Sequence, residues 1–289
     1  MIGVFHFMAN SFGLILAGRK VGSQHKAVNQ ERRLTLCRHC PILVLVITSF
    51  LGALPDRSAT GQSADSRFNV LVFSKTTGFR HDSIPHGLAA IEALGAEHGF
   101  AVERTEDSAQ FSDAVLARYK AVIFLSTTGD ILDASQKAAF ERYIRSGGGF
   151  VGIHSASDTE YGWPWYGRLI GAWFVSHPQI QRATVHIASF ADASTRGLPA
   201  DWERTDEWYN FRGNPRGAVQ VLATIDEATY SGGTMGADHP IAWCQEVDRG
   251  RSWYTAMGHT EESYAEPLFR LHLLGGIESA AGTAGPCKP

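Results

Sequence analysis

The hydrophobic pattern of the chain falls into two regimes. Between residues 68 and 153, short apolar runs alternate with stripes of helical period. Residues 68–73 (FNVLVF) predict a strand, and residues 84–98, with apolar Leu88, Ile91 and Leu94, predict a helix. A second short strand is expected at 101–104, a brief helix around Val115 and Leu116, a strand apolar on both faces at 121–125, and a helix at 134–145. The glycines at 147–149 then open a run that stops abruptly at His154. This order of elements predicts a parallel sheet with helices on both faces. Beyond residue 180 the pattern becomes strands joined by turns, at 183–187, 219–223, 241–244 and 252–256, with residues 248–251 as a hairpin connection and a last helix over 263–274. These are expected to extend the same sheet and to build one wall of a crevice.

The first 65 residues stand apart. Arg32, Arg33 and Arg38 precede an apolar run at 41–54, followed by small and polar residues, the layout of a secretory signal peptide. About thirty residues ahead of that basic region are long for a signal, so the true start is open; an uncleaved membrane anchor is the alternative. The expectation is a secreted or periplasmic protein with a leader at 1–65, one α/β domain at 66–281 and a tail at 282–289. A formal net charge of −3 leaves no basic footprint for nucleic acid. Cys37 and Cys40 lie in the leader, and no second pair follows them to make a zinc motif. Cys244 and Cys287 remain after cleavage and either pair in an oxidising compartment or stay as thiols.

Polar loops follow the predicted parallel strands. The first runs into a loop holding Thr77, Arg80 and His81 before a helix start, the third into Ser126-Thr127-Thr128, the fourth into His154, Ser155 and Asp158. In open parallel sheets, ligands bind beyond the carboxyl ends of the strands, which makes His154 the first functional candidate. The second half adds His177, Asp206, Glu207, Tyr209, His239 and His259 near element ends. Histidines and acids beside aromatic residues such as Trp163, Trp165, Trp173 and Trp208 suit a sugar, whose ring faces stack while its hydroxyls need polar partners. The plainer reading puts most of these tryptophans in the core.

The strings TGFRHDSI (77–84) and GGGFVGIHSASDT (147–159), the Trp165-Tyr166 pair before Leu-Ile-Gly, His177-Pro178, Asp206-Glu207-Trp208-Tyr209, His239-Pro240 and Gly258-His259-Thr260 resemble, in this order, the ThuA-like or trehalose-utilisation family. The resemblance covers about residues 68–281. It implies a flavodoxin-like three-layer α/β sandwich with a mainly parallel central sheet, like that of the class I glutamine amidotransferases, with extra strands in the C-terminal half. Those amidotransferases carry a cysteine nucleophile at the elbow where this chain has His154, so glutamine hydrolysis is not expected.

The family is also linked to disaccharide use beside dehydrogenases that form 3-keto sugars. The resemblance thus implies a hydrolase or lyase acting on 3-keto-glycosides, in which the ketone acidifies the C2 proton and the aglycone leaves from C1. On this expectation His154 or His81 is the base, Glu207 its partner or the acid, and His259 the stabiliser of the enolate or leaving group. Thr77, Arg80, Ser155, Asp158, His177, Asp206, Tyr209 and His239 bind the sugar. His81, His154, Glu207 and His259 are alternatively ligands of a divalent metal such as zinc. A non-catalytic carbohydrate-binding or accessory subunit of a periplasmic sugar dehydrogenase is the other class of function. A conventional glycosidase would need Asp158 and Glu207 as facing carboxylates.

Overall fold

The computed structural model describes residues 67–285 together with Cys287. The leader, with its proposed signal peptide and Cys37 and Cys40, lies outside the described residues. The chain forms β1 (Asn69–Phe73), α1 (Ile84–His98), β2 (Ala101–Thr105), α2 (Asp113–Leu116), β3 (Ala121–Leu125), α3 (Ala134–Arg145), β4 (Gly149–Ile153), α4 (Pro164–Ile170), β5 (Phe174–Ser176), β6 (Gln181–Ile187), β7 (Asp201–Asp206), β8 (Asn210–Phe211), β9 (Gln220–Ile225), β10 (Pro240–Val247), β11 (Gly250–Thr255) and α5 (Pro267–Ala281).

One sheet runs in the order β2-β1-β3-β4-β11-β10-β9-β6-β7. The first five strands pair in parallel, which is the flavodoxin-like half, and from β11 outward every pairing is antiparallel. The C-terminal strands therefore do extend the sheet, as their turn-linked pattern implied. A separate pair, β5 with β8, stands over the carboxyl ends of the parallel strands.

Apolar side chains close both faces. All five residues of β3 are buried, and Phe124 packs against Phe140 of α3 and Tyr166 of α4, with centroids 5.4 and 5.8 Å away. Truncating such a residue to alanine costs about 3–5 kcal/mol through lost burial and a cavity. The other face is covered by α1 and α5, whose glycines let them approach closely. A methyl at Gly149 of β4 would meet the backbone of Ala280 at 2.2 Å, and one at Gly276 would meet the Trp253 ring. Among the described residues no helix is long and apolar enough to cross a membrane.

Two expectations about elements need correction. The last helix is broken: a 3₁₀ turn at Glu262–Ala265 precedes α5, which begins at Pro267 and continues to Ala281. Proline suits the first helical turn, where its missing N–H is no loss, but cannot continue a helix from behind. Strand β7 gave no sequence signal because the inward members of its alternating pattern are Trp202, Arg204 and Asp206. Two of the three are charged, so the usual apolar alternation is hidden.

Cys244 and Cys287 form a disulfide, with Cα atoms 5.9 Å apart. This ties the segment after α5 to β10. It also removes Cys244 as a thiol nucleophile.

Candidate functional site

Three loops from the parallel half converge above its carboxyl edge. β1 delivers His81, β4 delivers His154, and β11 delivers His259 after Gly258, which has φ +110°. His154 itself has φ +52°, a left-handed conformation that strains a residue with a Cβ by roughly 1–2 kcal/mol. The strand thus ends in a sharp elbow that turns the imidazole inward. From the antiparallel half, the segment between β7 and β8 adds Glu207 and Tyr209, and the end of β5 adds His177.

The centre of this arrangement is the Nε2 atom of His154. His81 Nε2 and His259 Nδ1 each lie 3.1 Å from it, Tyr209 Oη 3.0 Å and Glu207 Oε2 3.5 Å. The other ring nitrogen, Nδ1, lies 2.8 Å from the carbonyl oxygen of Ala256, which only accepts, so Nδ1 carries the proton. In neutral His154 the Nε2 lone pair therefore points into the cluster. His81 is buried, and burial first, then its histidine neighbours, push its pKa down to about 2. Burial alone would push Glu207 up, but its histidine neighbours, His154 and His259, hold it down at about 2. His259 gains from the same contact: burial pulls it down, yet the Glu207 carboxylate raises it overall.

Glu207 faces two ways. Its Oε2 meets His259 Nδ1 at 3.0 Å, while its Oε1 meets His177 Nδ1 at 2.8 Å. His177 Nδ1 also lies 2.9 Å from the carbonyl of Pro178, so it is the protonated nitrogen, and the Nε2 lone pair of this half-exposed imidazole is left unengaged by these bonds.

A cavity of about 300 Å³ opens onto the cluster, walled by His81, Asp158, His177, Glu207, Tyr209 and His259, with Phe79 and Phe174 as apolar sides. A second hollow of about 250 Å³ shares Phe79, His81 and His259 with it and continues past Ile180 and Thr260. Asp158 is half-buried; desolvation pushes its carboxyl above the ordinary range, although the hydroxyl of Tyr161 bonds it at 2.6 Å.

Most of the expected site residues come together, but several in other roles. His154 is fully buried and does not line the cavity, whereas its neighbours His81, Glu207 and His259 do. Ser155, also buried, lies 3.4 Å from His81 Nδ1 and supports that ring. Asp206 is no sugar ligand: it is fully buried, and its oxygens accept the backbone N–H groups of Glu207, Gly258 and His259. His239 is equally enclosed between Glu227 and the backbone carbonyl of Tyr209, whose position it fixes. Arg80 turns outward to pair with Glu106 at 2.6 Å. Thr77 donates to the carbonyls of Thr128 and Asp130 and bolts two loops together.

The aromatic expectation also shifts. Trp163, Trp165, Trp208 and Trp253 are core residues, as is Tyr166. The cavity's aromatic wall is instead Phe79, Phe174 and Tyr209, of which the first two were not singled out in the sequence. Phe79 is 66% exposed, unusual for so large an apolar side chain, and its place inside the TGFRH loop was the available signal.

The model of the family described as trehalose utilisation, ThuA, matches residues 69–280. The chain belongs to the ThuA family. Membership suggests a role connected with carbohydrates, and every residue of the cluster falls within the matched span. Solved structures agree in fold with this family assignment. A ThuA-like protein of Bacteroides uniformis is 24% identical, with 81% of this chain and 99% of that one aligned at a TM-score of 0.66. One from Parabacteroides merdae is 20% identical, covering 77% and 92% of the two chains, with a TM-score of 0.64. The cytoplasmic protein STM1381 of Salmonella typhimurium, 11% identical over 73% of this chain and 99% of that one, has a TM-score of 0.55. No curated protein matches the sequence.

Proposed function

We propose that this ThuA family member is a sugar-active enzyme that cleaves or converts 3-keto-glycosides, and that it works outside the cytoplasm. The observation that carries the reading is the convergence, on one cavity with aromatic sides, of an oriented His177–Glu207 pair and the half-buried carboxyl of Asp158. In this scheme His177 Nε2 takes the C2 proton, acidified by the neighbouring ketone, while Glu207 holds the opposite ring nitrogen. The C–H electron pair passes to the C3 oxygen as an enolate, whose collapse forms the C1=C2 double bond as the C1–O bond breaks. The departing oxygen keeps that bond's electrons and takes the proton of Asp158. Addition of water across the double bond completes a net hydrolysis. His81 and His259 face the enolate oxygen, and Phe79 and Phe174 cover the apolar ring faces.

The ketone must come from an oxidation, so a sugar dehydrogenase is the expected functional partner. The Cys244–Cys287 disulfide supports an oxidising compartment.

The test is incubation with 3-keto and ordinary disaccharides, with products followed by mass and NMR. Cleavage of the keto sugars alone, lost in His177→Ala and Asp158→Asn, is the expected result. Turnover of ordinary disaccharides alone would replace this reading with conventional glycoside hydrolysis. The exposed Phe79 ring favours one other reading, a carbohydrate-binding module. Sugar binding that depends on Phe79, with no turnover of either substrate, would select it.

A further inference from the structure

The four groups around His154 Nε2 satisfy each other poorly as a hydrogen-bonded set. An imidazole lone pair accepts one good hydrogen bond. Here it is approached at 3.0–3.1 Å by three groups, the Tyr209 hydroxyl and a ring nitrogen each from His81 and His259. His259 Nδ1 has a second acceptor, Glu207 Oε2, at 3.0 Å, and His81 Nδ1 already faces Ser155. Either several donors crowd this one lone pair, or a neighbouring nitrogen turns its own lone pair toward it.

A cation at the centre removes the conflict, because every lone pair then points at positive charge. One ligand atom from each of His81, His154, Glu207 and His259 can be chosen so that all lie within 4.8 Å of one another. Nitrogens held about 2.0–2.1 Å from a tetrahedral zinc ion stand roughly 3.4 Å apart. The observed 3.1 Å separations are within a few tenths of an ångström of that. The outer contacts are those of a metal site as well: His154 Nδ1–H donates to the Ala256 carbonyl and Glu207 Oε1 accepts from His177, fixing tautomer and carboxylate orientation.

We infer that His81, His154, His259 and Glu207 form a binding site for one divalent transition-metal ion of the imidazole-preferring class, such as zinc. Three of the four ligands line the cavity, so the side of the ligand set where a fifth donor would join is a position that faces the bound molecule. Tyr209 Oη stands beside that position as a hydrogen-bond donor. The inference deepens the reactive centre proposed above, where the ion would serve as the Lewis acid for the enolate oxygen. It stands without that reading too, since the site rests on donor geometry alone.

The test uses the full chain, stripped with a chelator and dialysed, and titrated with Zn²⁺ by calorimetry, with metal content checked by mass spectrometry. One ion per chain is expected. Replacing His154 or His259 by alanine should weaken binding roughly 100-fold or more, whereas Asp158→Asn should leave it unchanged. Should His154→Ala fail to fold by circular dichroism, His81→Asn carries the same expectation. Co²⁺ substitution gives an independent readout: visible d–d bands that change in Glu207→Gln. Failure of the folded wild-type chain to bind Zn²⁺ below millimolar concentration, or binding insensitive to the histidine variants, overturns the inference. Stoichiometric, histidine-dependent zinc without turnover of keto sugars upholds the site and rejects only the substrate assignment.

Discussion

The Oδ1 atom of Asp206 accepts the backbone N–H of His259 at 3.0 Å, across 53 residues of sequence. The same oxygen accepts the N–H of Glu207 at 2.9 Å, and Oδ2 accepts that of Gly258 at 2.8 Å. One buried carboxylate thereby fixes the loop after β11 against the loop after β7 and sets the spacing between two cluster residues. Arg204 balances its charge at 3.0 Å, itself stacked between the rings of Trp202 and Phe269.

Asp206→Asn should therefore act on both stability and site. An amide cannot accept from three N–H groups, and its loss of charge strands the buried Arg204 guanidinium. Breaking such a pair costs about 3 kcal/mol or more. Urea unfolding measures it; a loss under 1 kcal/mol would show that Arg204 finds other compensation, for instance in Glu266, 3.4 Å away.

Phe79 gives the opposite profile. Its exposed ring makes little contribution to the core, so Phe79→Ala should change stability by less than about 0.5 kcal/mol. Loss of an aromatic stacking surface worth about 1 kcal/mol should weaken sugar binding roughly fivefold. Sugar titrations of the two proteins decide this, and equal affinities would remove Phe79 from the binding wall.

Acid should destabilise the fold through His272, which is not a member of the cluster. Burial lowers its pKa to about 4; its Nδ1 donates to the carbonyl of Ser194, Nε2 faces Thr255 Oγ1, and Arg204 and Asp192 act on it with opposite signs. The unfolded chain binds this proton near pH 6.5 and the folded chain only near 4, so the unfolded state holds more protons in between. Stability contributed by neutral His272 is complete above about pH 6.5 and falls as pH drops toward 4, by up to about 3 kcal/mol. Denaturation of His272→Gln across that window should show a shallower pH dependence than the parent. Parallel curves would contradict the assignment.

The disulfide should be worth more than its position near the C-terminus suggests. Cys244 and Cys287 are 43 residues apart, and in the chain-entropy model closing such a loop stabilises by about 4 kcal/mol. Cys287→Ser, or the reduced protein, should unfold at correspondingly lower denaturant. An unchanged midpoint would mean that α5 holds without the cross-link.

The sequence by itself determined the parallel half. Runs such as AVIFL at 121–125 are apolar throughout because both faces of β3 are covered, and α1 and α3 span the residues that their periodicity indicated. It also brought forward all four members of the cluster, since an abrupt polar stop after a buried strand marks the carboxyl edge, where His154 stands. Which of those residues meets which was decided only by tertiary structure. His81, His154, Glu207 and His259 carry no short ligand spacing; they meet because β1, β4 and β11 are neighbours or near neighbours in the sheet, an order that local pattern does not encode. The division of labour among acids was equally hidden. Asp206 and Glu207 are adjacent in sequence, yet the alternation of β7 turns Asp206 inward to Arg204, and the chain leaving the strand sends Glu207 toward the histidines. A carboxylate looks the same in sequence whether it accepts backbone N–H groups in the core or faces an open cavity; only the packing around it supplies the difference.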